Sequence, residues 1–269
     1  MSAPHSTRAF EHLVLDIHGV LVVARPWPGE LTPGKFIARL REAGCRISFL
    51  TNASSLTRAG VADALRRDGI LAVEKEVFTA GMTVAHYLCA LGQRMRLYLI
   101  GTPVFRDEIQ RACGDRAEWV EPECADFVVV SRDANLREET LARLRNAQDA
   151  CLLATCRDGM FVHEGRLEAG PGPTVERVER AMGRSALVIG KPNPYVLTHV
   201  IGLTPQELRA TLVVGDSPDQ DVGLGRNAGC RTVLMTEPTA ALPSTALQPD
   251  FVTHKFDDLV TIAMQASWV

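Results

Sequence analysis

Leu13-Val14-Leu15-Asp16-Ile17-His18-Gly19-Val20-Leu21 is the stretch whose reading decides the fold. It begins as an apolar, branched run of the kind that forms a buried strand. The run stops being apolar at an acid, Asp16, and Gly19 lets the backbone turn just beyond it. A carboxylate at the end of a buried strand is costly unless something there uses its charge. In an open α/β sheet the carboxyl ends of the strands are where ligands bind. Taken alone, the stretch is equally a strand end with a solvated Asp.

Outward from this point the chain alternates. Thr32-Pro33-Gly34 reads as a helix start, with Thr as N-cap and Pro in the first turn, and Gly44 as its terminator. Arg46-Ile47-Ser48-Phe49-Leu50 reads as the next strand and runs into Thr51-Asn52-Ala53-Ser54-Ser55. A helix ending at Gly69 follows. A β-α-β-α order favours a parallel sheet. Further strands are predicted at 96–100, 127–130, 151–155, 186–191, 211–216 and 231–235. Helices are predicted at 82–91, 104–113 and 175–182, and from Thr204-Pro205-Gln206-Glu207, a capping box. Asn135 and Glu138 are expected to cap another helix in the same way, and a hairpin is expected around Asp158-Gly159 and Glu164-Gly165. The fold class is α/β, a Rossmann-like parallel-sheet core with an inserted α/β domain.

The chain has 269 residues and a net charge of −3, which suits one large α/β domain or a domain with an insert. That charge gives no sign of nucleic-acid binding, and the longest apolar runs are strand-length, not membrane spans. The start, Met1 to Arg8, lacks the apolar core of a secretion signal. Seven cysteines are scattered with no C-x-x-C pair. Reduced thiols in a cytoplasmic protein are expected, with no zinc site and no disulfide frame.

Four predicted strands end in loaded residues: Asp16, Thr51-Asn52, Lys191 and Asp216. If all four lie in one parallel sheet, their ends share one edge. Two carboxylates brought together repel, and Mg²⁺ resolves that repulsion through oxygen ligands. Lys191 adds a positive charge and Thr51 a hydroxyl donor. Together they describe a cradle for a phosphoryl group facing a carboxylate nucleophile. Singly, each has a blander reading: a surface lysine, turn chemistry at Thr51-Asn52, a helix cap at Asp216.

In order and context the motifs resemble those of the haloacid dehalogenase superfamily, in its phosphatase branch with a large cap inserted between the second and third motifs. Asp16-Ile17-His18-Gly19-Val20-Leu21, Leu50-Thr51-Asn52-Ala53-Ser54-Ser55, Gly190-Lys191-Pro192-Asn193-Pro194 and Gly215-Asp216-Ser217-Pro218-Asp219-Gln220-Asp221 carry the likeness. So does Gly225-Arg226-Asn227-Ala228-Gly229. The resemblance implies a discontinuous core over residues 1–78 and 185–269 and a cap over 79–184. It implies that Asp16 attacks phosphorus and becomes an aspartyl-phosphate, and that Thr51, Asn52 and Lys191 hold phosphoryl oxygens. It implies Mg²⁺ held by Asp16, Asp216 and the main-chain carbonyl of His18, with Asp221 supporting directly or through water. The partner would be a small phosphorylated metabolite, and relatives often pair as homodimers through their caps.

Position 18 departs from the pattern. Family phosphatases usually carry a second Asp there, which protonates the leaving group and then activates water. His18 keeps the carbonyl and changes the side chain. Three readings stay open: His18 serves as the acid–base, the protein is a weak or inactive fold member that binds phosphorylated metabolites or a protein partner, or it performs other superfamily chemistry. In the cap, Thr155-Cys156-Arg157-Asp158-Gly159 stands where relatives show Thr-Asn-x-Asp. Arg157 and Asp158 are the candidate specificity residues, and Cys156 replaces the usual Asn.

Overall fold

Thirteen strands are present in a computed structural model, which describes residues 9–163, 166–238 and 247–265. Three open the chain: β1 (His12–Asp16), β2 (Arg46–Thr51) and β3 (Val77–Thr79). The next are β4 (Met95–Ile100), β5 (Ala117–Trp119), β6 (Phe127–Val130), β7 (Cys151–Ala154), β8 (Met160–His163), β9 (Arg166–Ala169) and β10 (Leu187–Val188). The last three are β11 (Thr211–Gly215), β12 (Arg231–Met235) and β13 (Phe251–Thr253). The chain is an α/β protein with two separate parallel-sheet units.

The first unit gathers residues up to Thr51, Arg58–Phe78 and Val196 onward. Its six strands run in the order β13-β12-β11-β1-β2-β3. β1 pairs in parallel with both β2 and β11, and β11 with β12. Chain order therefore reverses between β1 and β11, the switch point at which open α/β sheets place their ligands. β1 is buried along its whole length, as a central parallel strand covered on both faces must be. Leu13 and Leu15 pack with Phe36, Ile37 and Leu40 of the helix Pro33–Glu42 and with Phe256 and Leu259 of the helix Phe256–Met264. Phe36 and Phe256 stack with ring centroids 4.8 Å apart. Thr32 Oγ1 accepts the Lys35 N–H, as its position before Pro33 predicts. At the other predicted cap, Glu207 N–H donates to Thr204 Oγ1 at 3.3 Å and Thr204 N–H to Glu207 Oε2 at 2.9 Å, a complete capping box.

The second unit comprises Asn52–Thr57 and Thr79–Tyr195. Its five strands are parallel in the order β10-β7-β6-β4-β5. Alternate residues of β6 serve opposite faces: Val128 and Val130 meet Leu141, Leu144, Val175 and Val178, while Val129 meets Val84, Leu88, Phe105 and Ile109. β8 and β9 form an antiparallel hairpin, and its expected turn at Glu164-Gly165 lies outside the described residues.

Two local expectations are corrected. The helix after β6 is Glu138–Leu144, its N-cap is Arg137, and no side chain caps it. Asn135 is used instead in a turn, where its N–H donates to Asp133 Oδ1 at 2.8 Å. The run predicted as a core strand at 186–191 is a two-residue strand of the second sheet. Beyond it, Ile189 and Gly190 donate to Ala154 and Thr155 carbonyls, so the segment stays alongside β7. Lys191 thus does not extend from the sheet that carries Asp16, Thr51 and Asp216.

The buried start of β1 generates a pH prediction. Arg46 Nη2 donates to His12 Nδ1 at 3.0 Å, so Nε2 must carry the proton shared with Ser48 Oγ at 2.8 Å. Burial, then the Arg46 charge, lowers the His12 pKa from 6.5 to about 3 against the opposing pull of Glu207. A histidine held neutral in the fold gives stability that is full above its unfolded pKa and is lost as pH falls below it. Between pH 6.5 and 4.5 this one group should cost the wild type about 2 kcal/mol in urea unfolding. His12→Gln, which keeps an acceptor and a donor, should show a correspondingly flatter acid limb.

Candidate active site

β1 delivers Asp16, only 7% exposed, to the carboxyl edge of the sheet at the switch point. The chain then folds back on itself: Leu21 and Val22 donate to the Ile17 carbonyl at 3.0 and 2.8 Å, and Gly19 N–H donates to the Val22 carbonyl at 3.0 Å. Trp27 Nε1 anchors the turn by donating to the Val20 carbonyl at 2.9 Å. Gly19 has φ +87°, and a Cβ there would stand 2.0 Å from Asp216 Oδ2. The turn therefore needs glycine for its backbone and for the carboxylate that lies against it.

β11 brings the second acid. Asp216 follows Gly215 and is exposed, while Asp221, in the helical turn Pro218–Val222, is 2% exposed. Ser217 N–H donates to Asp221 Oδ2 at 3.1 Å and Asp221 N–H to the Ser217 carbonyl at 2.9 Å, which fixes the third carboxylate beneath the loop. A Cβ on Gly215 would overlap Asp221 Cγ at 2.0 Å. Asp16, Asp216 and Asp221 each bring one carboxylate oxygen to within 4.8 Å of the others. Each pair of charges at that spacing repels by roughly 3 kcal/mol at an effective dielectric near 20, less where water reaches Asp216. An all-oxygen, anionic donor set of this kind fits a hard divalent cation such as Mg²⁺ and suits softer, thiolate-seeking metals poorly. The close-packed Gly19 and Gly215 keep the three acids together.

Thr51 ends β2, the other neighbour of β1. Its Oγ1 lies 3.5 Å from His18 Nδ1, at the outer limit of a hydrogen bond. The first unit thus brings together five of the sequence-predicted residues: Asp16, His18, Thr51, Asp216 and Asp221.

The others belong to the second unit. Asn52 is 8% exposed and uses both ends of its amide. Oδ1 accepts the Lys191 N–H at 3.2 Å, and Nδ2 donates to both Asp158 oxygens at 3.1 and 3.2 Å. Gly190 permits this approach, since a Cβ there would meet the Thr155 carbonyl at 2.2 Å and Asn52 Oδ1 at 3.1 Å. The Cys156 thiol donates to the Asn52 carbonyl at 3.8 Å, and burial pushes its pKa up, which suits packing and not nucleophilic attack. Arg157 is engaged by Glu179: Nη1 donates to Oε2 at 3.0 Å, and Nη2 also contacts Oε1. That pairing holds the Glu179 carboxyl below its ordinary range. Sequence reading treated Asn52 as a phosphate ligand and did not foresee that it ties Asp158 to the Lys191 backbone. The only available signal was its place after Thr51, which does not reveal partners so distant in the chain.

Residues 13–113 match the family described as haloacid dehalogenase-like hydrolase, and residues 188–259 match a HAD-hydrolase-like family. The human (Homo sapiens) glycerol-3-phosphate phosphatase is 33% identical, over 82% of this chain and 77% of that one. The chain belongs to the haloacid dehalogenase-like hydrolases. It lies in their phosphatase branch. The 5'-nucleotidase YutF of Bacillus subtilis is 29% identical over 84% of this chain and 87% of that protein. Among solved structures, the 4-nitrophenylphosphatase of Thermotoga maritima superimposes with a TM-score of 0.78 at 27% identity, covering 97% of this chain and all of the other. No helix among the described residues of this HAD hydrolase is long and apolar enough to cross a membrane.

The Asn52 geometry generates a reciprocal test. Asn52→Asp sets one carboxylate against another, which raises the pKa of the pair in the fold. Stability should therefore fall by about 1–3 kcal/mol at pH 8 and recover as the pH is lowered to 5. Adding Asp158→Asn, which restores an amide opposite a carboxylate, should recover most of the loss at pH 8 in denaturant titrations.

Proposed function

We propose that this HAD-family enzyme hydrolyses a small phosphomonoester with Mg²⁺, through an aspartyl-phosphate on Asp16. The observation that carries the reading is the convergence of Asp16, Asp216 and Asp221 at the switch point of the first sheet. Asp16, Asp216 and the His18 main-chain carbonyl would hold the ion, with Asp221 in direct or water-mediated support. When bound, Mg²⁺ supplies positive charge that offsets the repulsion between carboxylate and phosphate. Asp16 attacks phosphorus as the bond to the leaving oxygen breaks. His18 gives that oxygen a proton. It then takes a proton from the water that attacks the acyl-phosphate, releasing phosphate and restoring Asp16. Thr51 donates its hydroxyl to a phosphoryl oxygen, and Lys191 contributes positive charge.

In the same reading, residues 1–78 and 185–269 form the catalytic core and 79–184 a cap that sets specificity and pairs two copies. Arg157 and Asp158 are the specificity residues, the first paired with Glu179 and the second accepting from Asn52 Nδ2. The relatives' names support a small phosphorylated metabolite, and sugar phosphates, nucleoside monophosphates, phosphoglycolate and pyridoxal phosphate form the first panel. The unbridged state of all seven cysteines supports a cytoplasmic setting.

His18 favours one rival, a catalytically weak protein that binds phosphorylated metabolites or a protein partner. Phosphate release in Mg²⁺ separates the two. An enzyme using His18 loses about 10²–10⁴-fold in kcat on His18→Ala, while His18→Asp changes kcat little. Asp16→Asn and removal of divalent cations should each abolish release. If His18→Asp instead gains orders of magnitude over a nearly inert wild type, the binding reading wins. Release that survives Asp16→Asn unchanged rules out the proposed nucleophile.

A further inference from the structure

Two thiols meet where neighbouring helices of the second unit end. Cys89 lies in the last turn of the helix Ala80–Ala90, and Cys113 closes the helix Pro103–Cys113. Cys89 Sγ is 3.2 Å from the Ala112 carbonyl and Cys113 Sγ 3.9 Å from the Ala85 carbonyl, so each sulfur touches the backbone of the other helix. Arg116 closes the group: Nη2 stands 2.9 Å from Cys89 Sγ, while Nη1 and Nε donate to the Cys89 and Cys113 carbonyls at 3.3 Å each. The pair is asymmetric. Cys89 is half-buried beside a guanidinium, and Cys113 is buried. Burial, then the neighbouring Cys89, pushes the Cys113 thiol up to about 11. Thiolates react with oxidants and thiols do not, and a cation at hydrogen-bond distance compensates the charge of the reacting form.

We propose that Cys89 and Cys113 form a hydroperoxide-oxidisable dithiol, in which Cys89 meets the oxidant and Cys113 resolves it to an intramolecular disulfide. The Cys89 thiolate attacks one peroxide oxygen. An S–O bond forms, the O–O bond breaks, and the departing oxygen takes a proton from solvent to leave as water or alcohol. Cys89 is then a sulfenic acid. Cys113 attacks that sulfur, the S–S bond forms, and the hydroxyl leaves with the Cys113 proton as water. Both electrons lost by the dithiol reduce the peroxide. Cys124 and Cys151 are more exposed, so exposure alone would direct oxidation to them; the site is distinguished by its preference over both.

The test treats reduced full-length protein with a stoichiometric pulse of hydrogen peroxide, blocks the remaining thiols, and maps peptides without reduction. The expected result is loss of two of the seven thiols, a mass lower by two hydrogens, and a cross-link between the Cys89 and Cys113 peptides that dithiothreitol reverses. Cys89→Ala should abolish the cross-link, and Arg116→Gln should slow it on the order of tenfold. In Cys113→Ala the reaction should stop at a dimedone-reactive Cys89; if that variant does not fold, the wild-type map and Cys89→Ala decide the matter. Oxidation confined to Cys124 and Cys151, disulfides only between molecules, or an unchanged rate in Arg116→Gln overturns the proposal.

Discussion

Mutual repulsion of carboxylates is the constraint around which the first unit is built. Asp16 and Asp221 are buried and Asp216 stands beside them, an arrangement that no isolated fold would favour. The sheet order makes it unavoidable. Once β11 pairs with β1, the residues that follow both strands must share one end of the switch point. The glycines then remove the remaining freedom. Gly19 lets Asp216 lie on the backbone of the first loop, and Gly215 lets Asp221 tuck beneath the second. Those contacts position charge at the expense of stability, and in the proposed function a bound cation offsets that cost.

The two ends of β1 handle ionisable groups in opposite ways. At its start His12 is buried against an arginine and is held neutral, so the sheet avoids a buried charge by losing a proton. At its other end Asp16 lies beside two further acids, where the proposed function needs its charge as ligand and nucleophile. One strand therefore carries a group whose burial supports folding and a group whose burial supports chemistry. Apolar surface in between, Leu13 to Leu15, is what holds both in place.

Much of this was legible in the sequence because the motifs sit at strand ends, and a strand end is marked by an apolar run that stops. β1, β2 and β11 were readable for that reason, as were the Thr32 and Thr204 caps, whose partners lie three residues away. What failed depended on distant or very short signals. Leu187-Val188-Ile189 is apolar enough for a core strand, but nothing in the run says which sheet it joins. Strands of three residues, such as β3, β5 and β13, are too short to show a period. Asn135 met the sequence requirement for a cap, but the helix begins two residues later, after Arg137, and Asn135 lies in a turn where its N–H donates to Asp133 Oδ1. The tie from Asn52 to Asp158 and the Lys191 backbone could not be read, because both come to it only through the tertiary fold.

Position 18 separates what the family fold fixes from what the side chain decides. A main-chain carbonyl survives any substitution, so the shape of the loop over residues 17–22 and the approach of Asp216 are indifferent to the side chain at 18. Proton transfer is not indifferent. A carboxylic acid and an imidazole differ in proton affinity, in reach and in charge when protonated: an Asp that gives up its proton becomes an anion beside three others, whereas a His becomes neutral. Histidine at this position therefore lowers the local negative charge in both of its protonation states relative to Asp. Thr51 Oγ1, 3.5 Å from its Nδ1, is a neutral hydroxyl that accommodates either ring tautomer. The substitution is thus compatible with the electrostatics of an acid-rich site, and the matter turns on proton transfer itself.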